Sequence, residues 1–232
     1  MMELREKCPW DQKQTIDSLR YLTLEECYEL SDTILDEDYN GIKEELGDLL
    51  LHVVFYSIIA TELKKFNLSD VISNQTNKLI QRHPHIYSNI KVTNEKDVKR
   101  NWELLKLKEK NKTSVLSGVP KSLPTMLKTY RIQEKVKGIG FDFPDSHTSF
   151  ENVFEEIKEF KNEFDKKNIE KATEEFGDVL FALIGFAQKV GINSLNALEK
   201  TNNKFIKRFN KMENIISKTK NWHQMIKISE KA

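Results

Sequence analysis

The amino-acid sequence predicts an all-α fold, and three observations support that class. Gly and Pro are scarce, at 8 and 5 of 232 residues, which disfavours a turn-rich sheet protein. Lys, Glu, Leu and Ile are abundant, a composition that favours helices. The periodic segments are also too long to be strands. We therefore expect a protein built from packed helices.

The predicted helices follow one another in order along the chain. The first is expected to begin after Thr23, an N-cap whose capping box Glu26 would complete, and to run to about Glu37. The segment 44–65 is too long for a strand and predicts a largely buried helix. Further helices are expected at 69–82, 95–110, 125–137, 148–164, 170–190 and 194–219.

An internal repeat divides these helices into two tandem helical bundles. Five acidic positions recur at a constant shift of 130 residues, together with matching glycine and apolar neighbours, which indicates a duplicated unit. We expect an N-terminal unit at 1–112, a linker at 113–124 that contains Ser, Gly and Pro, and a C-terminal unit at 125–232. The repeated acids are Glu25, Glu26, Glu29, Glu45 and Asp48, matched by Glu155, Glu156, Glu159, Glu175 and Asp178.

The spacing of the acids predicts a metal site in each unit. Glu26 and Glu29 are three residues apart and share one helix face, and Glu45 and Asp48 have the same relation on the next helix. A short loop near 38–41 would bring the two pairs together. Converging carboxylates repel each other unless a cation lies among them, and oxygen ligands favour Mg²⁺ or Mn²⁺ over zinc. The second unit repeats this quartet with Glu156, Glu159, Glu175 and Asp178.

The alternative interpretation is that these acids form ordinary solvated helix faces. Two copies, each with Glu-x-x-Asp 16 residues after the first pair, favour metal binding. Gly47 and Gly177 lie between the acids, where a helical glycine costs roughly 1 kcal/mol. We expect a neighbouring helix or a ligand to approach closely at both glycines.

Charge and apolar content limit the classes of function. The net charge is +1, so nothing indicates nucleic-acid binding. No stretch reaches the length of a membrane-spanning helix, and residues 1–10 lack the apolar region of a secretory signal. Two cysteines do not form a disulfide framework, which favours a cytoplasmic location. The basic segment 200–231 is either a solvated helix face or a surface for phosphate groups.

Several motifs, in the order of the chain, resemble the MazG-type nucleoside triphosphate pyrophosphohydrolases. The resemblance covers nearly the whole sequence. It implies tandem helical bundles, domain-intertwined or packed as a homodimer, and Mg²⁺-dependent cleavage between the α and β phosphates to a monophosphate and pyrophosphate. Mn²⁺ could substitute for Mg²⁺. The motifs are the two acidic sets, CPWD at 8–11, RHPH at 82–85, NWE at 101–103, GVPK at 118–121 and VKGIGFD at 136–142.

The resemblance also implies roles for individual residues. The acidic quartets would hold Mg²⁺ against the phosphates, and Glu155 or Glu159 could accept the proton of the attacking water. Lys171 resembles a phosphate-contacting lysine of the family, and Trp222 would be either a platform for the base or a core residue. The family's basic pair corresponds to Lys204 and Arg208 in the second unit and to Lys78 and Arg82 in the first.

The two halves differ at one of these positions. The shift of 130 residues places Gly41 where the second unit has Lys171, although Lys43 is nearby. We therefore expect the C-terminal unit to be the main catalytic unit. Two other functions stay open at this point: a narrower hydrolase for dUTP or other dNTPs, and a helical regulatory scaffold without catalysis.

Overall fold

The computed structural model describes residues 1–108 and 114–219. Within these residues all regular structure is helical and there is no strand, so the predicted all-α class is confirmed. The chain forms two compact units, Met1–Thr93 and Asn94–Ala232. The predicted linker at 113–124 lies inside the second of these units, and the domain boundary drawn from the sequence stays a prediction.

The first unit is centred on a helix hairpin. Its helices are α1 (Met2–Lys7), α2 (Ile16–Leu35), α3 (Tyr39–Glu62), α4 (Leu68–Arg82) and α5 (Pro84–Tyr87), with a short 3-10 helix at Asp11–Lys13. The helices α2 and α3 pack against each other, and Leu19, Phe55 and Ile59 form their buried core.

The start of α2 corrects the predicted N-cap. Thr15, not Thr23, caps this helix, and Thr15 and Ser18 form a reciprocal capping box. The side chain of Thr23 lies within α2, where its hydroxyl donates to the carbonyl of Leu19 and lies 2.8 Å from the Tyr56 hydroxyl. The earlier start places Leu19 in the core, which gives tertiary packing the advantage over the local capping signal at Thr23.

The helix α3 is less buried than its sequence predicts. Its second half holds the buried residues Phe55, Ile59 and Ala60, but Leu46 and Leu50 are 53% and 63% exposed. The prediction of a largely buried helix is therefore wrong for the first half of α3. A hairpin of two helices covers one face of each helix and leaves the other face open.

The second unit contains a hairpin of the same design. Its helices are α6 (Glu95–Lys108), α7 (Thr125–Gly138), α8 (Ser146–Asp165), α9 (Ile169–Lys189) and α10 (Ser194–Thr219), with a 3-10 helix at Val115–Gly118. The helices α8 and α9 form the hairpin, and α7 packs against α9.

The two hairpins keep the 130-residue shift in their backbones. The helices α2 and α8 span 16–35 and 146–165, and α3 and α9 begin at 39 and 169. The connecting turns each contain one residue in the left-handed region, Glu37 at φ 56° and Lys167 at φ 58°. The next residues, Asp38 and Asn168, cap α3 and α9 with their side chains. The same turn therefore sets the register of both hairpins.

Membrane-spanning potential is low in the described ranges. None of the helices at 1–108 and 114–219 is by itself long and apolar enough to cross a bilayer. Only α9 and α10 pass such a test as a pair, by length and composition, and they are bent by 107° relative to each other.

Candidate active site

Each hairpin brings three carboxylates together. In the first unit, Glu26 and Glu29 extend from α2 and Glu45 from α3, and one oxygen from each lies within 4.8 Å of the others. In the second unit, α8 and α9 place Glu156, Glu159 and Glu175 in the same arrangement. We call these groups the first and the second acidic cluster.

The fourth acid of each predicted quartet lies outside this tight group. Asp48 is close enough to Glu26 and Glu45 for its charge to raise their pKa values. Asp178 has the same effect on Glu156 and Glu175. The structure therefore places the two aspartates beside the clusters.

Electrostatic strain is the shared property of both clusters. Desolvation is the largest cause that raises the pKa values of Glu26 and Glu45 in the first cluster, followed by repulsion from neighbouring carboxylates. The pKa values of Glu156 and Glu175 are raised for the same reasons. A bound cation would relieve this repulsion.

The donor atoms fit a hard divalent cation. Every candidate ligand is a carboxylate oxygen, the donor type that Mg²⁺ and Mn²⁺ prefer. In the first cluster, Oε2 of Glu45 is buried and has no hydrogen-bond partner within the described residues. A buried acceptor of this kind is costly unless a proton or a cation reaches it. The residues present are therefore suited to a divalent ion.

The other predicted acid and base positions lie around the clusters. Glu155 is exposed and is not among the clustered acids, whereas Glu159 is one of them. Lys171 is exposed in the first turn of α9, four residues before Glu175, and its charge helps to lower the pKa of Glu163 after the larger effect of Lys166.

The basic pairs lie on the last long helix of each unit. Lys204 and Arg208 are exposed on α10, and in the described structure neither forms an ion pair or a side-chain hydrogen bond. Lys78 and Arg82 are half-buried on α4. Trp222 lies outside the described residues, so its predicted role stays untested.

Both glycines between the acids face open space. A Cβ atom added to Gly47 or Gly177 would meet no heavy atom of the described chain within 4 Å. The expectation that a neighbouring helix of the same chain approaches there is therefore wrong for the described residues. Room for a ligand is left at both positions.

A cavity of about 480 Å³ adjoins the second acidic cluster and was not predicted from the sequence. Glu156 and Asp178 form part of its wall, and Phe141, Phe143 and Phe181 supply aromatic surface. Its volume lies within the roughly 300–1,000 Å³ typical of small-molecule sites. The cavity therefore joins an apolar space to the carboxylates.

Three polar residues of this cavity were missed by the sequence argument: Gln133, Lys137 and Asn152. The Asn152 amide lies 3.5 Å from Glu156 Oε1, and its position four residues earlier on the same helix face was a usable signal. Lys137 donates to the carbonyl of Gly185 at 2.9 Å, and burial lowers its pKa. Gln133 and Lys137 come from α7, whose distance in sequence from the acids hid their role.

Fold and site together define a helical protein with two carboxylate clusters suited to divalent cations, one of them beside a cavity for a small molecule. Comparison with known families agrees with this class. The family model described as the MazG nucleotide pyrophosphohydrolase domain matches residues 14–87 and 145–212. Each match covers one of the two hairpins.

Individual relatives extend this similarity. The nucleoside triphosphate pyrophosphohydrolase of Escherichia coli K12 is 37% identical over 215 residues, which cover 90% of this chain and 82% of the relative. The nucleoside triphosphate pyrophosphohydrolase/pyrophosphatase MazG of Thermotoga maritima is 40% identical, with coverage of 92% and 82%. The uncharacterized protein YabN of Bacillus subtilis is 43% identical over 89% of this chain and 43% of its own length.

The chain belongs to the MazG family of nucleotide pyrophosphohydrolases. The resemblance inferred from the sequence motifs is thereby confirmed. The two matched segments also confirm that the chain carries the MazG helical unit twice.

Proposed function

We propose that this protein hydrolyses nucleoside triphosphates between the α and β phosphates in a Mg²⁺-dependent reaction, and that the second unit is the main catalytic unit. The products would be a nucleoside monophosphate and pyrophosphate. The observation that carries the proposal is the second acidic cluster, because it opens directly onto a cavity large enough for a nucleotide base. Family membership supports the general class of activity.

The proposed metal ligands are carboxylates of both clusters. Mg²⁺, or Mn²⁺ in its place, would neutralise charge on the phosphates and lower the pKa of the attacking water. Glu159 is favoured over Glu155 as the acceptor of that water's proton, because Glu159 belongs to the cluster and Glu155 does not. The proposed ligands are Glu156, Glu159, Glu175 and Asp178 in the second unit and Glu26, Glu29, Glu45 and Asp48 in the first.

Basic residues would hold the phosphates. Lys171 lies one helical turn before Glu175 and is exposed, so its ammonium group can reach a triphosphate at the cluster. Lys204 and Arg208 form no competing ion pair within the described residues. A role for Trp222 at the base, and for Lys78 and Arg82 in the first unit, stays part of this proposal.

Exposed apolar surface supports the proposed homodimer. In the first unit, Leu46, Leu50 and Val53 on α3 are 53%, 63% and 44% exposed. In the second unit, Phe176 and Leu180 on α9 are 49% and 48% exposed. Large apolar side chains in such numbers are typical of an association surface. Whether the bundles intertwine or pack side by side, and the cytoplasmic location, stay predictions.

Product analysis tests the proposed reaction. Wild-type protein is incubated with GTP or dCTP and Mg²⁺, and the phosphorus products are separated. Monophosphate with pyrophosphate is expected, whereas diphosphate with orthophosphate would contradict the proposed cleavage position. Hydrolysis that persists in Glu175→Ala and Asp178→Ala would contradict the site, and complete absence of hydrolysis would favour a regulatory scaffold.

The range of substrates is tested with the same assay. Turnover of many NTPs and dNTPs would support a general function in clearing the nucleotide pool. Turnover of dUTP or of a single dNTP alone would instead support the narrower hydrolase. The same carboxylates would serve either enzyme, so the difference must lie in the cavity.

A further inference from the structure

The cavity of the second unit contains a buried amide with an unused acceptor. Gln133 on α7 is 5% exposed and lines the cavity. Its Oε1 is buried and has no hydrogen-bond partner within the described part of the chain. A buried acceptor left in this state costs free energy unless a ligand or solvent donates to it. The acceptor is therefore available to a molecule that enters the cavity.

The orientation of this amide is fixed by its other end. Nε2 of Gln133 donates to the carbonyl oxygen of Phe181 on α9 at 2.7 Å. Turning the amide over would place Oε1 against that carbonyl, so two acceptors would face each other. The nitrogen must stay with Phe181, and the oxygen remains the group offered to a ligand.

The wall around the amide is shaped to leave Oε1 accessible. Gly185 lines the same cavity, and a Cβ atom at this glycine would lie 3.0 Å from Oε1 of Gln133. Any larger residue would press on the amide. The aromatic rings of Phe141 and Phe143 line the same space and provide flat surfaces on which a base can stack.

The cavity also has the right relation to the acidic cluster. Glu156 and Asp178 are part of its wall, so a molecule in the cavity touches the proposed metal site at one side and meets Gln133 at another. A nucleoside triphosphate has a matching division, with anionic phosphates at one end and a flat base with N–H donors at the other.

We propose that Gln133 determines base specificity: its Oε1 accepts a hydrogen bond from an N–H group on the polar edge of the nucleobase, which occupies the cavity between α7 and α9. This inference rests on the proposed function of the second unit and adds a recognition residue to it. A site built to bond an N–H group discriminates strongly against a molecule that lacks one.

The test compares wild-type protein with Gln133→Met, which keeps the length of the side chain and removes the acceptor. The matched control is Gln188→Met. Gln188 also donates its Nε2 across the α7–α9 contact, to the carbonyl of Tyr130 at 2.8 Å, but it does not line the cavity. Circular dichroism and thermal melting verify that both variants are folded.

Initial rates are measured for ATP, GTP, CTP and UTP, and for ribose 5-triphosphate, which carries the phosphates and sugar but no base. Gln133→Met should lower kcat/KM for the best nucleotide roughly 10- to 100-fold and reduce the preference among bases. Its rate on ribose 5-triphosphate should match that of wild type. Gln188→Met should retain the wild-type preference.

Three results would overturn the inference. An unchanged base preference in Gln133→Met would show that the amide does not contact the base. An equal loss on ribose 5-triphosphate would assign Gln133 a purely structural role, as would an equal effect of Gln188→Met. Absence of hydrolysis in wild-type protein would overturn the proposed function and this inference together, whereas the other results leave the function intact.

Discussion

The two units have the same backbone and the same acidic cluster, but they differ in what surrounds the cluster. The 130-residue shift places Phe55 of the first unit opposite Gly185 of the second. Phe55 is 2% exposed and packs in the core with Leu19 and Ile59, whereas Gly185 is part of the cavity wall. A side chain thus fills in one unit the position that borders open space in the other.

The lysine position shows a second difference with a steric cause. Gly41 stands where the second unit has Lys171. A Cβ atom at Gly41 would lie 2.6 Å from Cγ2 of Thr33 and 2.9 Å from Oδ2 of Asp38. No side chain fits there without movement of the turn. Metal ligands were retained after duplication, while the first unit used the substrate positions for packing.

The largest expected effect is on the stability of the first unit. Phe55→Ala should cost about 3–5 kcal/mol of unfolding free energy, because it removes a fully packed aromatic ring. Guanidinium unfolding followed by circular dichroism measures this loss. The control is Phe176→Ala on α9, where the ring is 49% exposed and the cost should be clearly smaller. Equal costs would contradict the assignment of Phe55 to a core.

Filling the cavity of the second unit should have the next largest effect. Gly185→Phe gives α9 the side chain that α3 has at the matching position and should lower kcat/KM for nucleotides roughly 10- to 100-fold, through loss of base contacts. Steady-state hydrolysis measures the change, and calorimetric Mg²⁺ titration serves as the control. Unchanged kcat/KM in a folded variant would show that the cavity does not receive the base.

Removal of the proposed phosphate contact should have a smaller effect. Lys171→Met should reduce kcat/KM about 10-fold, since a charge-assisted hydrogen bond to phosphate is worth about 1.5–3 kcal/mol when removed and Lys204 and Arg208 would compensate in part. Lys43→Met in the first unit is the matched variant and should leave the rate unchanged. The comparison fails if the two variants lose activity equally.

The glycines between the acids should respond to substitution in a modest and measurable way. Gly47→Ala and Gly177→Ala should each raise unfolding free energy by about 0.5–1 kcal/mol, because alanine is the better helix former and the space for its Cβ is open. If a ligand uses that space in the second unit, only Gly177→Ala should slow hydrolysis. Equal slowing by both variants would contradict the division of roles.

The pH dependence of metal-free stability gives the smallest expected effect. Desolvation and then Glu159 and Asp178 raise the pKa of Glu175, so the folded state binds its proton more tightly than the unfolded state. Stability contributed by this group therefore falls as pH rises above the ordinary carboxyl value of about 4.3. Glu175→Gln should raise the Tm in EDTA at pH 8, and the gain should shrink towards pH 5.

A carboxyl with the opposite shift provides the control. Lys166 holds the pKa of Glu163 below its usual range, and the two side chains form an ion pair at 2.7 Å. Glu163→Gln should therefore lower the Tm at pH 8, with a smaller loss as pH falls. Tm changes of the same sign in both variants would contradict the assignment of strain to the cluster.

Local patterns predicted more of this molecule than distant contacts did. The acids at i and i+3 revealed the clusters because helix periodicity alone places them on one face. Thr23 was mistaken for a cap because the deciding interaction, burial of Leu19 against α3, is tertiary. Gln133 stayed hidden for the same reason, since its bond to Phe181 joins residues 48 positions apart.

The most direct measurement of the central claim is a comparison of Glu45→Gln with Glu175→Gln. Each substitution removes one carboxylate from one acidic cluster at matching positions. Mg²⁺-dependent release of pyrophosphate from a nucleoside triphosphate should fall at least about 100-fold in Glu175→Gln and less than about twofold in Glu45→Gln, the larger value being typical for loss of an electrostatic catalytic group. Equal losses, or the larger loss in Glu45→Gln, would contradict the conclusion that catalysis belongs to the second unit.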